Sequence, residues 1–201
     1  MKRLLTGVAA IAVLMMASCD SKTKLAEELA GSWSGTPERI GNDSTGVMTM
    51  LETFNFTPNE NESGGQFIVQ ATISVVGTVP SDDEVVEPFS VNQDAIASAQ
   101  GKWQTLDDDE VMIVIDPQTI TVNVDPKDVV FSDNVFTGEQ QPAVDSIQPK
   151  AAEKLTRIIT KEVTEKFLNL NHLDDVKVKE NLLKYEIGHK HFRMSKQTEQ
   201  L

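Results

Sequence analysis

The stretch that decides the fold is Phe67-Ile68-Val69-Gln70-Ala71-Thr72-Ile73-Ser74-Val75. Phe67, Val69, Ala71, Ile73 and Val75 recur at every second position, with Gln70, Thr72 and Ser74 between them. Side chains on a strand point alternately to opposite faces, so this period reads as a strand with one face buried and one wet. Upstream, Met48, Met50, Phe54 and Phe56 share one side of a segment over 47–56, with Leu51 breaking the alternation. The polar run from Asn59 to Gly65 is a turn between the two. Downstream, a loop is expected over 77–84, and then a strand carried by Val85, Glu87, Phe89 and Val91, which Pro88 weakens. Gly101–Thr105 is a strand bearing Trp103, and Asp107-Asp108-Asp109 turns the chain into Val111–Ile115, apolar throughout. Asp116-Pro117-Gln118 turns it again, and Ile120, Val122 and Val124 alternate with Thr119, Thr121 and Asn123. Consecutive strands joined by short polar turns make a meander.

The period changes at residue 149. Ala151, Leu155, Ile158, Ile159, Val163, Phe167 and Leu170 recur at helical spacing, while Lys154, Arg157, Lys161, Glu165 and Lys166 fill the other face. This predicts an amphipathic helix over about 149–170, with Pro149 in the first turn, where its missing N–H costs nothing. Strands return with Val176 and Val178, then with Leu183, Tyr185 and Ile187, then over 189–195 after Gly188. Open strand edges invite pairing with other chains, and closure into a barrel removes them. The expected class is therefore all-β dominated: an antiparallel up-and-down β-barrel with one long helix in its C-terminal half. A two-sheet sandwich is the alternative.

The amino terminus has a different grammar. Met1-Lys2-Arg3 is basic, Leu4–Ala17 is apolar apart from Thr6, and small residues Ala17 and Ser18 precede Cys19. A basic start, a short apolar core and a small-residue cut site mark a secretory signal. The apolar run is shorter than the ~20 residues of a spanning helix. Met16-Ala17-Ser18-Cys19 resembles the lipobox of bacterial lipoproteins, with Met16 where Leu is usual. That resemblance implies cleavage after residue 18, diacylglycerol on the Cys19 thiol and an acyl chain, such as palmitate, on the new amino group. Cys19 is the only cysteine, and a lone cysteine in an exported chain has no internal partner. The alternative is an ordinary secreted protein in which Cys19 is incidental. The expected organisation is a signal over 1–18, a lipidated tether over 19–24 and a single domain over 25–201, with a short helix over 25–30 at its start. The membrane would be reached through the lipid, in the envelope of a Gram-negative bacterium and at its outer membrane.

Gly31-Ser32-Trp33 resembles the Gly-x-Trp opening of lipocalins. The resemblance implies that Gly31 lets the chain turn under the barrel, that the Trp33 indole plugs the closed end, and that Arg193 packs over it from the last strand. It also implies a helix packed against the barrel near the C-terminus, which 149–170 supplies. Gly-x-Trp recurs at Gly101-Lys102-Trp103, and the layout is similar to the lipocalin-like lipoproteins of Bacteroidetes. A lipocalin-type Thr-Asp-Tyr motif and a disulfide are missing from the sequence. In a sandwich, Trp33 would be an ordinary core residue.

Composition narrows the function. The chain has a formal charge of −13, and removal of Lys2 and Arg3 with the signal leaves 16 Lys and Arg against 31 Asp and Glu, or −15. Such a surface repels phosphate backbones, which argues against nucleic-acid partners. No Gly-x-Ser-x-Gly, phosphate loop or His-Glu-x-x-His occurs in the sequence, so the expected role is binding rather than chemistry, with no cofactor beyond the lipid. His189 and His191 are expected on one strand face, a weak metal pair that needs a third ligand from His172 or an acid. The acidic runs at 82–84 and 107–110 lack the spacing of a calcium loop and read as turns. An eight-stranded barrel can hold one small ligand or fill itself. Phe67, Val69, Ile73, Ile113, Ile115, Val122, Tyr185 and Ile187 would line the cavity in the first case and make the core in the second. The corresponding functions are carriage of a small hydrophobic or amphipathic molecule, or docking of an envelope protein on a solid barrel.

Overall fold

The computed structural model describes residues 21–41, 47–60, 62–79, 89–131 and 141–197. The signal segment, Cys19 and the 80–88 part of the expected loop and strand lie outside the described residues. The elements are α1 (residues 21–29), β1 (Gly31–Ser34), β2 (Glu38–Ile40), β3 (Val47–Pro58), β4 (Gly64–Val79), β5 (Phe89–Thr105) and β6 (Val111–Ile115). They continue as β7 (Thr121–Asn123), β8 (Val130–Phe131), α2 (Gln141–Leu168), β9 (His172–Lys179), β10 (Leu182–Ile187) and β11 (Lys190–Lys196).

The strands close an antiparallel eight-stranded barrel in the order β1-β3-β4-β5-β6-β9-β10-β11, with β11 returning to β1. The strands of the ring follow one another in chain order, so the meander read from the sequence closes on itself. β3, β4 and β5 run well past the closed ring. Their extensions find other partners: β2 pairs β3 at Met48–Met50, while β7 and β8 pair β5 at 96–98 and 91–92. The length of β5 is missed by the sequence reading because its inward positions are Ala95, Ala97 and Ala99, too small to mark a buried strand by hydrophobicity. The run Ile120–Val124 supplies only three strand residues between two 3-10 turns. In each of those turns an aspartate carboxylate, Asp116 or Asp125, accepts the backbone N–H two residues on.

Both helices pack an apolar face onto the core. α1 starts at residue 21, so most of the segment expected as a tether is helical; Leu25, Ala26 and Leu29 bury one face. Gly31, with φ of +113°, makes the turn from α1 into β1. α2 presents Leu155, Ile159, Val163 and Phe167, four residues apart, to the same core, and lies against β6 and β7. It begins at Gln141 and not at 149, a correction to the expected boundary. Pro149 is exposed within it, and the helix continues through although the proline supplies no N–H to the carbonyl one turn back.

β9 carries a bulge. Leu173 and Val176 are both buried although three residues apart. The register against β10 shifts between Lys184 and Glu186, and Asp175 takes the left-handed φ of 48°. One extra residue restores the inward phase beyond it.

Candidate ligand groove at the barrel seam

On β3 the buried residues are Met48, Met50, Glu52, Phe54 and Phe56, one unbroken inward face with a carboxylate in its middle. β1 pairs β3 over 53–56 and β2 pairs it over 48–50, so the partner of β3 changes at Glu52. The connection passes through Gly35, whose N–H donates to the Glu52 carbonyl at 2.9 Å. At this seam a groove of about 1200 Å³ opens among β2, the C-terminal turns of α2 and the β10–β11 hairpin. Glu52 and Tyr185 belong to its lining, with Glu38, Lys166, Ile187 and Phe192 around them.

The electrostatics follow from burial. Lys166 Nζ donates to Glu38 Oε2 at 2.6 Å and stands 3.6 Å from Glu52 Oε2. Glu52 Oε1 is buried and has no hydrogen-bond partner among the described residues. Loss of hydration pushes the Glu52 carboxyl up to about 7; the Lys166 charge opposes this and the Glu38 charge adds to it. Burial, helped by the charges of Glu52 and Glu38, drives the Tyr185 hydroxyl above its ordinary value, so it stays a neutral phenol. The Tyr185 ring stacks on Phe192 at 5.2 Å with 12° between planes, and Lys166 Nζ lies 5.8 Å from the Phe192 centroid. The groove thus offers a carboxyl that exchanges its proton near neutral pH, an ammonium group and an aromatic wall. That set can hold a polar head and an apolar body together.

The residues expected to line a central cavity pack against one another. Phe67, Val69, Ile73, Ile113, Ile115 and Tyr185 are buried, and Val122 and Ile187 are partly buried against the same cluster. A chain of ring contacts crosses the interior from Trp103 through Phe56, Phe67 and Phe54 to Tyr185, with centroid separations of 5.0–6.1 Å. Aromatics are few in this sequence, and the fold concentrates them here.

Trp33 is fully buried and donates its indole N–H to Leu29 O at 2.7 Å, fastening α1 under the barrel. The cation above its ring is Lys196, at 5.1 Å, and not Arg193. On β11 the inward-leaning positions are Phe192, Met194 and Lys196, so Arg193 falls on the outer face and is exposed. His189 and His191 do not share a strand face. His189 sits with Gly188 in the two-residue turn between Ile187 and Lys190, where Gly188 takes a φ of +61°, and His191 is held by Glu186 through Nδ1 at 2.8 Å. His172 lies on β9, two strands from β11.

Sequence reasoning passed over Glu52, Glu38 and Lys166 as site residues. The signal for Glu52 was present: a charged residue in phase with Met48, Met50, Phe54 and Phe56 is a buried carboxylate if the strand is real. Glu38 and Lys166 had no such signal, because their meeting depends on how α2 crosses the seam. No protein-family model matches this chain, and no curated protein matches it.

Proposed function

We propose that this chain is a lipid-anchored cell-envelope lipoprotein that binds a small amphipathic ligand at the seam of a solid barrel and catalyses no reaction. The observation that carries the ligand site is Glu52 Oε1, buried at the groove without a hydrogen-bond partner among the described residues. An unpaired buried carboxyl oxygen costs free energy, and a ligand amine or hydroxyl would relieve that cost. Tyr185, Phe192 and Ile187 would take the apolar part of the ligand. The ring-filled interior favours this placement over a central cavity. The anchor rests on the signal over 1–18 and on Cys19, with attachment at the outer membrane.

Native mass spectrometry of the purified protein, before and after incubation with an envelope lipid and metabolite extract, tests the reading. A discrete added mass that is lost in both Glu52→Leu and Phe192→Ala supports the groove. The same mass retained in both variants returns the ligand to the barrel interior. No added mass on folded protein favours the second reading, an interaction module docking an envelope protein, which the packed interior also suits. The anchor is tested on membrane-extracted protein, whose mass should carry diacylglyceryl and acyl groups that Cys19→Ser abolishes.

A further inference from the structure

On the outer wall of the barrel, three groups of metal-ligating chemistry that do not line the groove converge. Glu110, immediately before β6, and His172 and Asp174 of β9 place one ligand atom each within 4.8 Å of one another. His172 Nε2 lies 3.5 Å from Asp174 Oδ1 and 3.8 Å from Glu110 Oε2. We propose that Glu110, His172 and Asp174 form a binding site for a first-row divalent cation, zinc by preference, with water completing its coordination.

The geometry is close to what a metal needs. Metal–nitrogen and metal–oxygen bonds of about 2.0–2.2 Å put neighbouring ligands roughly 3.3 Å apart in a tetrahedral shell. The two carboxylates stand within a few tenths of an ångström of that spacing from His172 Nε2, and small side-chain rotations of these half-exposed groups would draw all three around one centre. His172 Nε2 is shielded from water yet makes no hydrogen bond among the described residues, although two carboxylates stand near it. An imidazole nitrogen aimed between two carboxylate oxygens without bonding to either marks a point that a cation would satisfy. One nitrogen and two oxygens suit zinc and its neighbours better than calcium or magnesium, which prefer oxygen alone.

The supporting frame is rigid. Val111 pairs Leu173 and Met112 pairs His172, so His172 and Asp174 flank the buried Leu173 on one face of β9 and Glu110 immediately precedes the partner strand. The Glu110 carbonyl accepts from Leu106 N at 2.8 Å, the Asp109 carbonyl from Val176 N at 2.8 Å and the Asn171 carbonyl from Ile113 N at 3.0 Å. The bulge at Asp175 lies directly beside the site, a common place for a strand to re-aim a side chain. Lys177 on the same strand is engaged by Asp175. Glu186, the rung partner of Asp174 on β10, is engaged by His191. The neighbouring charges are therefore occupied with each other, and the three proposed ligands are left to share one centre.

Calorimetric titration of the tag-free full chain with zinc chloride tests the site, with cobalt(II) visible absorption as an independent readout of nitrogen and oxygen ligation. The expected result is one zinc per chain. His172→Ala and Glu110→Gln should each weaken binding by about tenfold or more and remove the cobalt spectrum, while His191→Ala leaves both unchanged. All three residues are half-exposed on the outer wall, so circular dichroism should show each variant folded. Failure of the wild type to take up zinc stoichiometrically would overturn the proposal. So would uptake unaffected by both His172→Ala and Glu110→Gln, or uptake lost equally in His191→Ala.

Discussion

Two neighbouring regions of β3, one inward position apart, do opposite things. At Phe54 and Phe56 the strand pairs with β1 and buries two rings in the aromatic chain that fills the barrel. At Glu52 the strand has just left β1 and buries a carboxyl, one oxygen of which has no partner among the described residues. The sealed region maximises apolar contact and leaves nothing to bind. The seam gives up that contact and gains a polar group whose state depends on what lies against it. The difference teaches that closure of this barrel is local. Where the ring of strands is complete the interior is filled by rings, and where the partner changes from β1 to β2 a groove opens.

The sharpest way to break the comparison is to empty the sealed region. Phe54→Ala should cost about 3–5 kcal/mol, measured by chemical denaturation, because the surrounding strands cannot collapse into the space. A cost near 1 kcal/mol would mean that the interior is loosely filled and that the contrast with the seam is false.

Glu52 comes next, with the opposite sign. Its folded value of about 7 lies above the ordinary 4.5, so the folded state holds the proton more tightly than the unfolded chain. The stability it preserves is complete below about pH 4.5 and is lost as the pH rises through about 7. The full loss corresponds to about 3 kcal/mol. Glu52→Gln should therefore flatten the pH dependence between 5 and 8 and stabilise the protein at pH 8, as followed by denaturation at each pH. A variant less stable than wild type at pH 8 would show that the ionised carboxylate is well paired.

Smaller effects sharpen the picture. Lys166→Met removes a partly exposed ion pair, worth about 1 kcal/mol or less. It also removes the charge that holds the Glu52 carboxyl down, so the Glu52 midpoint should move further up. Lys196→Ala should cost ~0.5–1 kcal/mol through its lost contact with the Trp33 face, whereas Arg193→Ala should stay within about 0.5 kcal/mol of wild type. Thermal melts of the two variants side by side decide which cation covers the indole.

The sequence made the barrel legible because its strands alternate cleanly at Phe67–Val75 and its turns carry Asp, Asn, Gly and Pro. The same parity rule, carried one residue further, would have exposed Glu52 as buried and Lys196 in place of Arg193. The phase of β11 is set by the tight turn at Gly188 and His189, so position 193 cannot face inward while Met194 does. Other features lie outside the reach of periodicity. The alanines of β5 hide a buried face, the bulge in β9 changes parity inside a strand, and Pro149 looks like a helix start although the helix passes through it. The groove and the outer-wall cluster join residues distant in the chain, and only closure of the barrel brings them together.

The central claim is that Glu52 stands desolvated at an open seam. Carboxyl carbon-13 NMR of the labelled protein, titrated through pH 4–9 and assigned with Glu52→Gln, measures this directly. The account predicts a Glu52 midpoint close to 7 that shifts when a groove-binding fraction is added. A midpoint near the ordinary 4.5, unmoved by any such fraction, would contradict it.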